Sequence, residues 1–128
     1  MKNFEELEVW KAARSIRLEI QIIVKQFPSE EKYRLIDQIV RSSRSIGDNI
    51  AEGHGRYHFQ ENIQFCRIAR GSLTETLNHV ICATDEHYIS SEQLSLFRIK
   101  YDYSLKLING YILYLQKRKQ ESLTTQST

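Results

Sequence analysis

The chain has 128 residues, 18 basic and 16 acidic, for a formal charge of +2, with 41% hydrophobic residues, five glycines and one proline. That length suits one domain, and the scarcity of breakers, with apolar residues spaced three and four apart nearly throughout, excludes a strand-rich fold and predicts an all-α protein. So small a charge excludes a nucleic-acid role read from composition alone; such a role requires basic residues segregated on one surface.

The opening MKNFEELEVW carries three acids and no apolar run, so no secretory leader is expected. No apolar stretch approaches the roughly 18 residues that a membrane span needs, and the expectation is a soluble cytoplasmic protein with no membrane partner. Cys66 and Cys82 are isolated thiols on predicted helix. They read as reduced structural residues rather than a disulfide or a zinc site, which suits a reducing compartment.

A first helix is predicted over 5 to 26, where Val9, Ala13, Ile16, Ile20, Ile23 and Phe27 draw one seam, widened by Trp10 and Val24. Its opposite face carries Lys11, Arg14, Leu18, Gln21, Ile22 and Lys25, a mixed basic and apolar surface that an isolated bundle has little reason to expose. Pro28 closes this helix, and Ser29 with Glu30 and Glu31 opens a second over 30 to 53. There Ile36, Val40, Ser43, Ile46 and Ile50 face inward, Arg34, Arg41, Asp48 and Glu52 outward. The small Ser42, Ser45 and Asn49 lie on the flank, where they let a neighbouring backbone approach. Gly53 and Gly55 are expected to stop the helix by taking the left-handed conformation of a C-terminus.

The third predicted helix, 59 to 87, turns Phe59, Ile63, Cys66, Leu73, Leu77, Val80 and Thr84 inward. Arg70 falls inside this stripe and is expected to pair with Glu52 or Glu75. Gly71 and Ser72 are expected to mark a close helix contact. Ser90 and Gln93 have capping-box spacing and open a fourth helix over 91 to 118.

This last helix is apolar on two sides, with Leu94, Phe97, Tyr101, Leu105, Ile108, Ile112 and Leu115 on one and Leu96, Ile99, Tyr103, Leu107 and Tyr114 on the other. A helix in a four-helix monomer buries only one side. Leu96, Ile99, Tyr103 and Leu107, with Leu18 and Ile22, are therefore expected to form a homo-oligomer interface. The whole reads as one antiparallel up-and-down four-helix bundle over 4 to 118, followed at 119 to 128 by a disordered tail.

LEVWKAA near the start, FPSEEKYRLIDQIVRSSRSIGDNIAEGHGR in the middle and FCRIARGSLTE in the third helix give the chain a recognisable pattern. It resembles the four-helix-bundle proteins encoded in intervening sequences of bacterial 23S ribosomal RNA genes, whose wider family includes accessory proteins of diversity-generating retroelements. The most specific part is Asn49, Ile50, Ala51, Glu52, Gly53, Gly55 and Arg56. The resemblance implies a ring-shaped homopentamer, a role involving nucleic acid and, for retroelement members, a reverse transcriptase partner; it implies no enzymatic activity. Gly47 departs from the proline of many members, and His58 from the serine or threonine that would cap the third helix.

Other chemistry finds little support. His54 and His58 have the spacing of metal ligands on a helix, but Gly53 and Gly55 argue against a continuous helix there. His79, Cys82 and Glu86 lack a fourth ligand, so neither a metal nor a cofactor is expected. Ser42, Ser43 and Ser45 lack a nucleophile elbow, and no arginine precedes a histidine at the spacing that a helical RNase or toxin-like enzyme would use. Lys11, Arg14, Lys25, Arg41, Arg44, Arg56, Lys117, Arg118 and Lys119 are the expected contacts to RNA or DNA. Repeated around a ring they would form a strong field for phosphates; otherwise they are a solvated face or a docking surface for a protein such as a reverse transcriptase.

Overall fold

The computed structural model describes residues 3–126. All its regular structure is helical: α1 (Glu8–Ile23), α2 (Leu35–Gly55), α3 (Phe59–Asp85) and α4 (Ser91–Gln126), with short 3-10 turns at Phe4–Glu6, Val24–Gln26 and Ser29–Glu31. Each helix packs on its neighbours in chain order, and α4 returns to α1, giving the expected antiparallel bundle. The four inward stripes meet in one core, in which Ile16, Ile20, Ile46, Ile50, Leu73, Val80 and Ile108 lose all contact with solvent.

The ends of the helices depart from the sequence reading for identifiable reasons. The expected helix over 5 to 26 is three pieces, because Asn3 caps the Phe4–Glu6 turn with its side chain and Val24 tightens the last turn of α1. Phe27 is extended, as the ring of a following proline demands. Ser29 opens only a 3-10 turn after Pro28, and α2 begins at Leu35 with no side-chain cap from Arg34.

The glycine corner also works differently. Gly53 and Gly55 stay helical, and the left-handed residue that ends α2 is Tyr57, at φ 58°. Gly53 is needed for space instead: a Cβ there would come within 2.8 Å of Asn62 Oδ1 and of the Phe65 Cβ, so α2 and α3 close against each other at this point. A second left-handed residue, His87 at φ 62°, ends α3. The Tyr88 amide donates to the Ala83 carbonyl and the His87 amide to the Thr84 carbonyl, the paired bonds of a Schellman motif.

At the start of α4 the reciprocal cap forms as expected, with Gln93 N–H donating to Ser90 Oγ at 3.1 Å and Ser90 N–H donating to Gln93 Oε1 at 2.9 Å. No side chain caps α3 at His58. The fourth helix runs on past 118 to Gln126, so residues 119–126 are helical where irregular chain was expected; residues 127 and 128 lie outside the described residues. Along this extension the Thr124 and Thr125 hydroxyls donate to the Gln120 and Glu121 carbonyls, and Glu121 lies 3.9 Å from Arg118.

Polar pairs set the register of the helices. Between α2 and α3, Ser42 Oγ lies 2.8 Å from Thr76 Oγ1 and Ser45 Oγ 2.9 Å from Ser72 Oγ, so the small flank of α2 does allow close packing. Between α4 and α1, Lys100 donates to Ser15 and Glu19. Two expectations about α3 are corrected. Ala69, not Arg70, occupies the stripe, and Arg70 reaches outward to Asn109 Oδ1 at 2.8 Å rather than to Glu52 or Glu75. Gly71 is exposed with no neighbour within 4 Å, so only Ser72 makes the close contact.

Candidate functional site

The basic residues singled out in the sequence do not share one face. Arg14 and Arg44, joined by Arg17, line a groove of about 290 Å³ between α1 and α2. Trp10 and Gly47 lie in the same groove, where a Cβ on Gly47 would stand 3.4 Å from the indole Nε1, at ordinary contact distance. The three arginines make no ion pair or hydrogen bond among the described residues. Asp48 is the acid on the rim. Arg17 escaped the sequence reading because it sits between the seam and the outer face of α1; its position on the flank toward α2 was the available signal.

The other cations are scattered and mostly engaged. Lys11 pairs with Glu8 at 3.4 Å and Arg41 with Asp37 at 3.6 Å, both exposed, where such pairs contribute about 0–1 kcal/mol. Lys25 is exposed in the Val24–Gln26 turn, at the end of the bundle away from Arg56 and the residues of 117–119. Lys119 donates to Gln60 at 2.6 Å, and the Arg118 guanidinium lies over the Phe59 and Tyr114 rings at 5.8 and 6.0 Å.

The Asn49 to Arg56 motif is a corner brace. Asn49 donates back to Ser45 at its carbonyl and hydroxyl, at 2.8 and 2.9 Å. Ile50 is wholly buried, and Gly53 admits α3. Glu52 takes two hydrogen bonds from Arg56, at 2.9 and 3.1 Å, and Arg56 lies over Phe65 at 5.2 Å and 3.9 Å from Glu61 on α3. The motif thus ties the end of α2 to the first turns of α3.

A third region is apolar. Leu18 and Ile22 on α1 and Leu96, Ile99 and Tyr103 on α4 are 39 to 67% exposed, and Lys100 shares one groove with Leu18 and Ile22 and another with Tyr103. Lys100, bonded across the two helices, holds this face in register. Leu107 turns partly inward and packs against the core, so it contributes less to the outer face than its spacing predicted.

The reactive side chains are committed to structure. Ser42 and Ser43 donate to the Ile39 and Val40 carbonyls, and Ser45 bonds Ser72 and Asn49. His79 is buried beside Glu75 at 3.1 Å. Burial pushes the Cys66 thiol up to about 12, so it is a neutral packing group rather than a nucleophile. Burial also raises the Tyr111 phenol, partly offset by its bond from Asn62, and raises Tyr88, which donates to the Glu31 carboxylate at 3.2 Å. No group of three or more potential ligands is placed to hold a metal, and no helix is long and apolar enough to cross a membrane, among the described residues.

Comparison with known proteins agrees with the fold and with the family resemblance. The family model described as 23S rRNA-intervening sequence protein matches residues 5–110. Among solved structures, the chain is similar to a protein of unknown function from the S23 ribosomal protein family of Bacteroides thetaiotaomicron. The TM-score is 0.74 and the identity 26%, over 81% of this chain and 97% of that one. No curated protein matches.

Proposed function

The chain belongs to the 23S rRNA-intervening sequence protein family, and from that premise we propose that it is a non-enzymatic scaffold that self-associates through the α1 and α4 face and holds nucleic-acid phosphates in the groove between α1 and α2. The observation that carries this reading is the set of Arg14, Arg17 and Arg44, three cations on one groove with no partner among the described residues. Unpaired guanidiniums converging on a concave surface favour an anion with several oxygens, because each offers a planar fork of donors that matches phosphate. With a charge of only +2 per chain, one copy binds weakly. Self-association presents several grooves to one polymer and multiplies the affinity without new contacts. Five subunits are what the family resemblance implies.

Trp10, the only tryptophan, lies in this groove and reports on it. Titration with a generic duplex should change its emission, and the affinity should fall steeply as salt rises. Replacing Arg14, Arg17 and Arg44 together with glutamate should remove the emission change and flatten the log-log salt dependence by about 2–3. Absence of binding at low salt, or equal binding by the triple variant, rejects the phosphate reading.

A further inference from the structure

We propose that the aromatic cleft at the motif end of the bundle holds an unstacked base of a single-stranded nucleic acid, with the cations of residues 117–119 set toward the flanking phosphates. The site is separate from the arginine groove, and the inference rests on the nucleic-acid reading above for the class of polymer. The cleft, about 630 Å³, is formed where the α2–α3 corner meets α4, and its walls include Tyr57, His58, Phe59, Asn62, Tyr111 and Tyr114. That volume falls within the range typical of small-ligand sites, and its walls are mostly rings and hydrogen-bonding groups, with Leu7 and Leu115 as the aliphatic side chains.

Tyr57 is the first observation. It holds a left-handed backbone at φ 58°, which a bulky side chain rarely adopts, while its side chain stands 73% exposed. Glycine would end α2 with less strain, and the exposed tyrosine ring buries little surface among the described residues in return. A ring held out at a strained corner beside a cleft is accounted for by something that covers it.

The other walls define what that is. Tyr111 and Tyr114 are stacked, with centroids 6.2 Å apart and planes 13° from parallel, and Tyr114 is exposed. They offer a flat platform. The Tyr111 hydroxyl accepts from Asn62 Nδ2 at 3.3 Å and donates to no described residue, so a donor is left for an acceptor in the cleft. Arg118 rides on Phe59 and Tyr114 and donates to the Tyr114 hydroxyl at 3.3 Å, Lys119 donates to Gln60, and Lys117 is exposed on the same turn of α4.

A planar ligand with hydrogen-bond acceptors, carried on an anionic chain, satisfies all three features. An uncharged aromatic makes no use of the cationic turn at 117–119, and a duplex keeps its bases stacked away from the rings.

The test compares a short single-stranded oligoadenylate with a duplex of the same length, by fluorescence anisotropy at low salt. The single strand should bind at least about tenfold more tightly, the scale of one stacked base. Tyr57→Gly and Tyr114→Leu should each abolish that preference and leave duplex binding unchanged. Tyr57→Gly should not lower the melting temperature, because it relieves the backbone. Equal affinity for both strands, or a preference that survives both variants, overturns the cleft proposal and leaves the arginine groove standing. Binding of the single strand alone supports the cleft and rejects the groove, and binding of neither overturns both.

Discussion

Gly53 sits so close beneath Phe65 that a Cβ on the glycine would lie 2.8 Å from the Cβ of the phenylalanine. The same Cβ would meet Asn62 backbone at 3.2 Å, so no side-chain rotation makes room and the two helices must part. Gly53→Ala should therefore destabilise the protein by about 1–3 kcal/mol, the range of overpacking in a dense core. Gly71→Ala is the opposite case: an exposed helical position with nothing within 4 Å, where alanine should add roughly 0.5–1 kcal/mol. Denaturant midpoints of the two variants check both signs, and a stable Gly53→Ala protein would show that the corner is looser than described.

Ile46→Asp should leave no folded protein. Ile46 is wholly buried among the stripes of the bundle, and an unpaired carboxylate there costs several kcal/mol against a total stability of about 5–15 kcal/mol. Circular dichroism after purification reads the outcome. A soluble variant of unchanged melting temperature would mean that α2 presents a different face to the core.

Ile99→Lys combined with Tyr103→Lys should give smaller species of unchanged helicity. Both side chains are more than half exposed on α4, on the face shared with Leu18 and Ile22, so lysine costs the monomer little while placing like charges in the contact between copies. Light scattering of the wild-type protein at micromolar concentration should give an oligomer. A monomer would hand this apolar face to a different protein partner, whereas a dimer would keep the contact and reject the ring.

Cys66 should not react with a thiol reagent at pH 8 until the protein unfolds, when both cysteines should react. Its folded value of about 12 stands above the unfolded value of 9.0 because burial disfavours the thiolate. The group is protonated in both states below pH 9 and contributes no pH dependence there. Between about pH 9 and 12 the unfolded chain has lost the proton and the folded chain has kept it, so stability should fall as pH rises. Tyr111 and Tyr88, also raised, act in the same direction above pH 10. Cys66→Ser should flatten the decline that begins near pH 9, and equally rapid labelling of folded and unfolded protein would contradict this burial.

His87→Gly should raise stability by roughly 1 kcal/mol. His87 holds the left-handed position that ends α3, at φ 62°, with its side chain exposed, and glycine takes that conformation without a Cβ clash. Thermal melts compare the variant with wild type. A loss of stability would mean that the imidazole makes a contact worth more than the strain.

The sequence by itself determined the class and the topology: four stripes with three-and-four spacing, one proline and the Ser90–Gln93 cap were enough, because helical periodicity is a local property that survives without knowledge of the neighbours. It also placed Leu18, Ile22, Leu96, Ile99 and Tyr103 on an unburied side, since each lies opposite its own helix's core stripe. What only the tertiary structure decided depended on which helices are adjacent and how closely they approach. Arg17 joins Arg14 and Arg44 because α1 packs on α2 at Gly47, and Arg70 leaves the core because the turn of α3 brings Ala69 inward instead. Tyr57 takes the left-handed position that two nearby glycines advertised, because Gly53 is held helical by the approach of α3. Glycine in a sequence signals freedom of the backbone or room for a neighbour, and only the packed partner distinguishes the two.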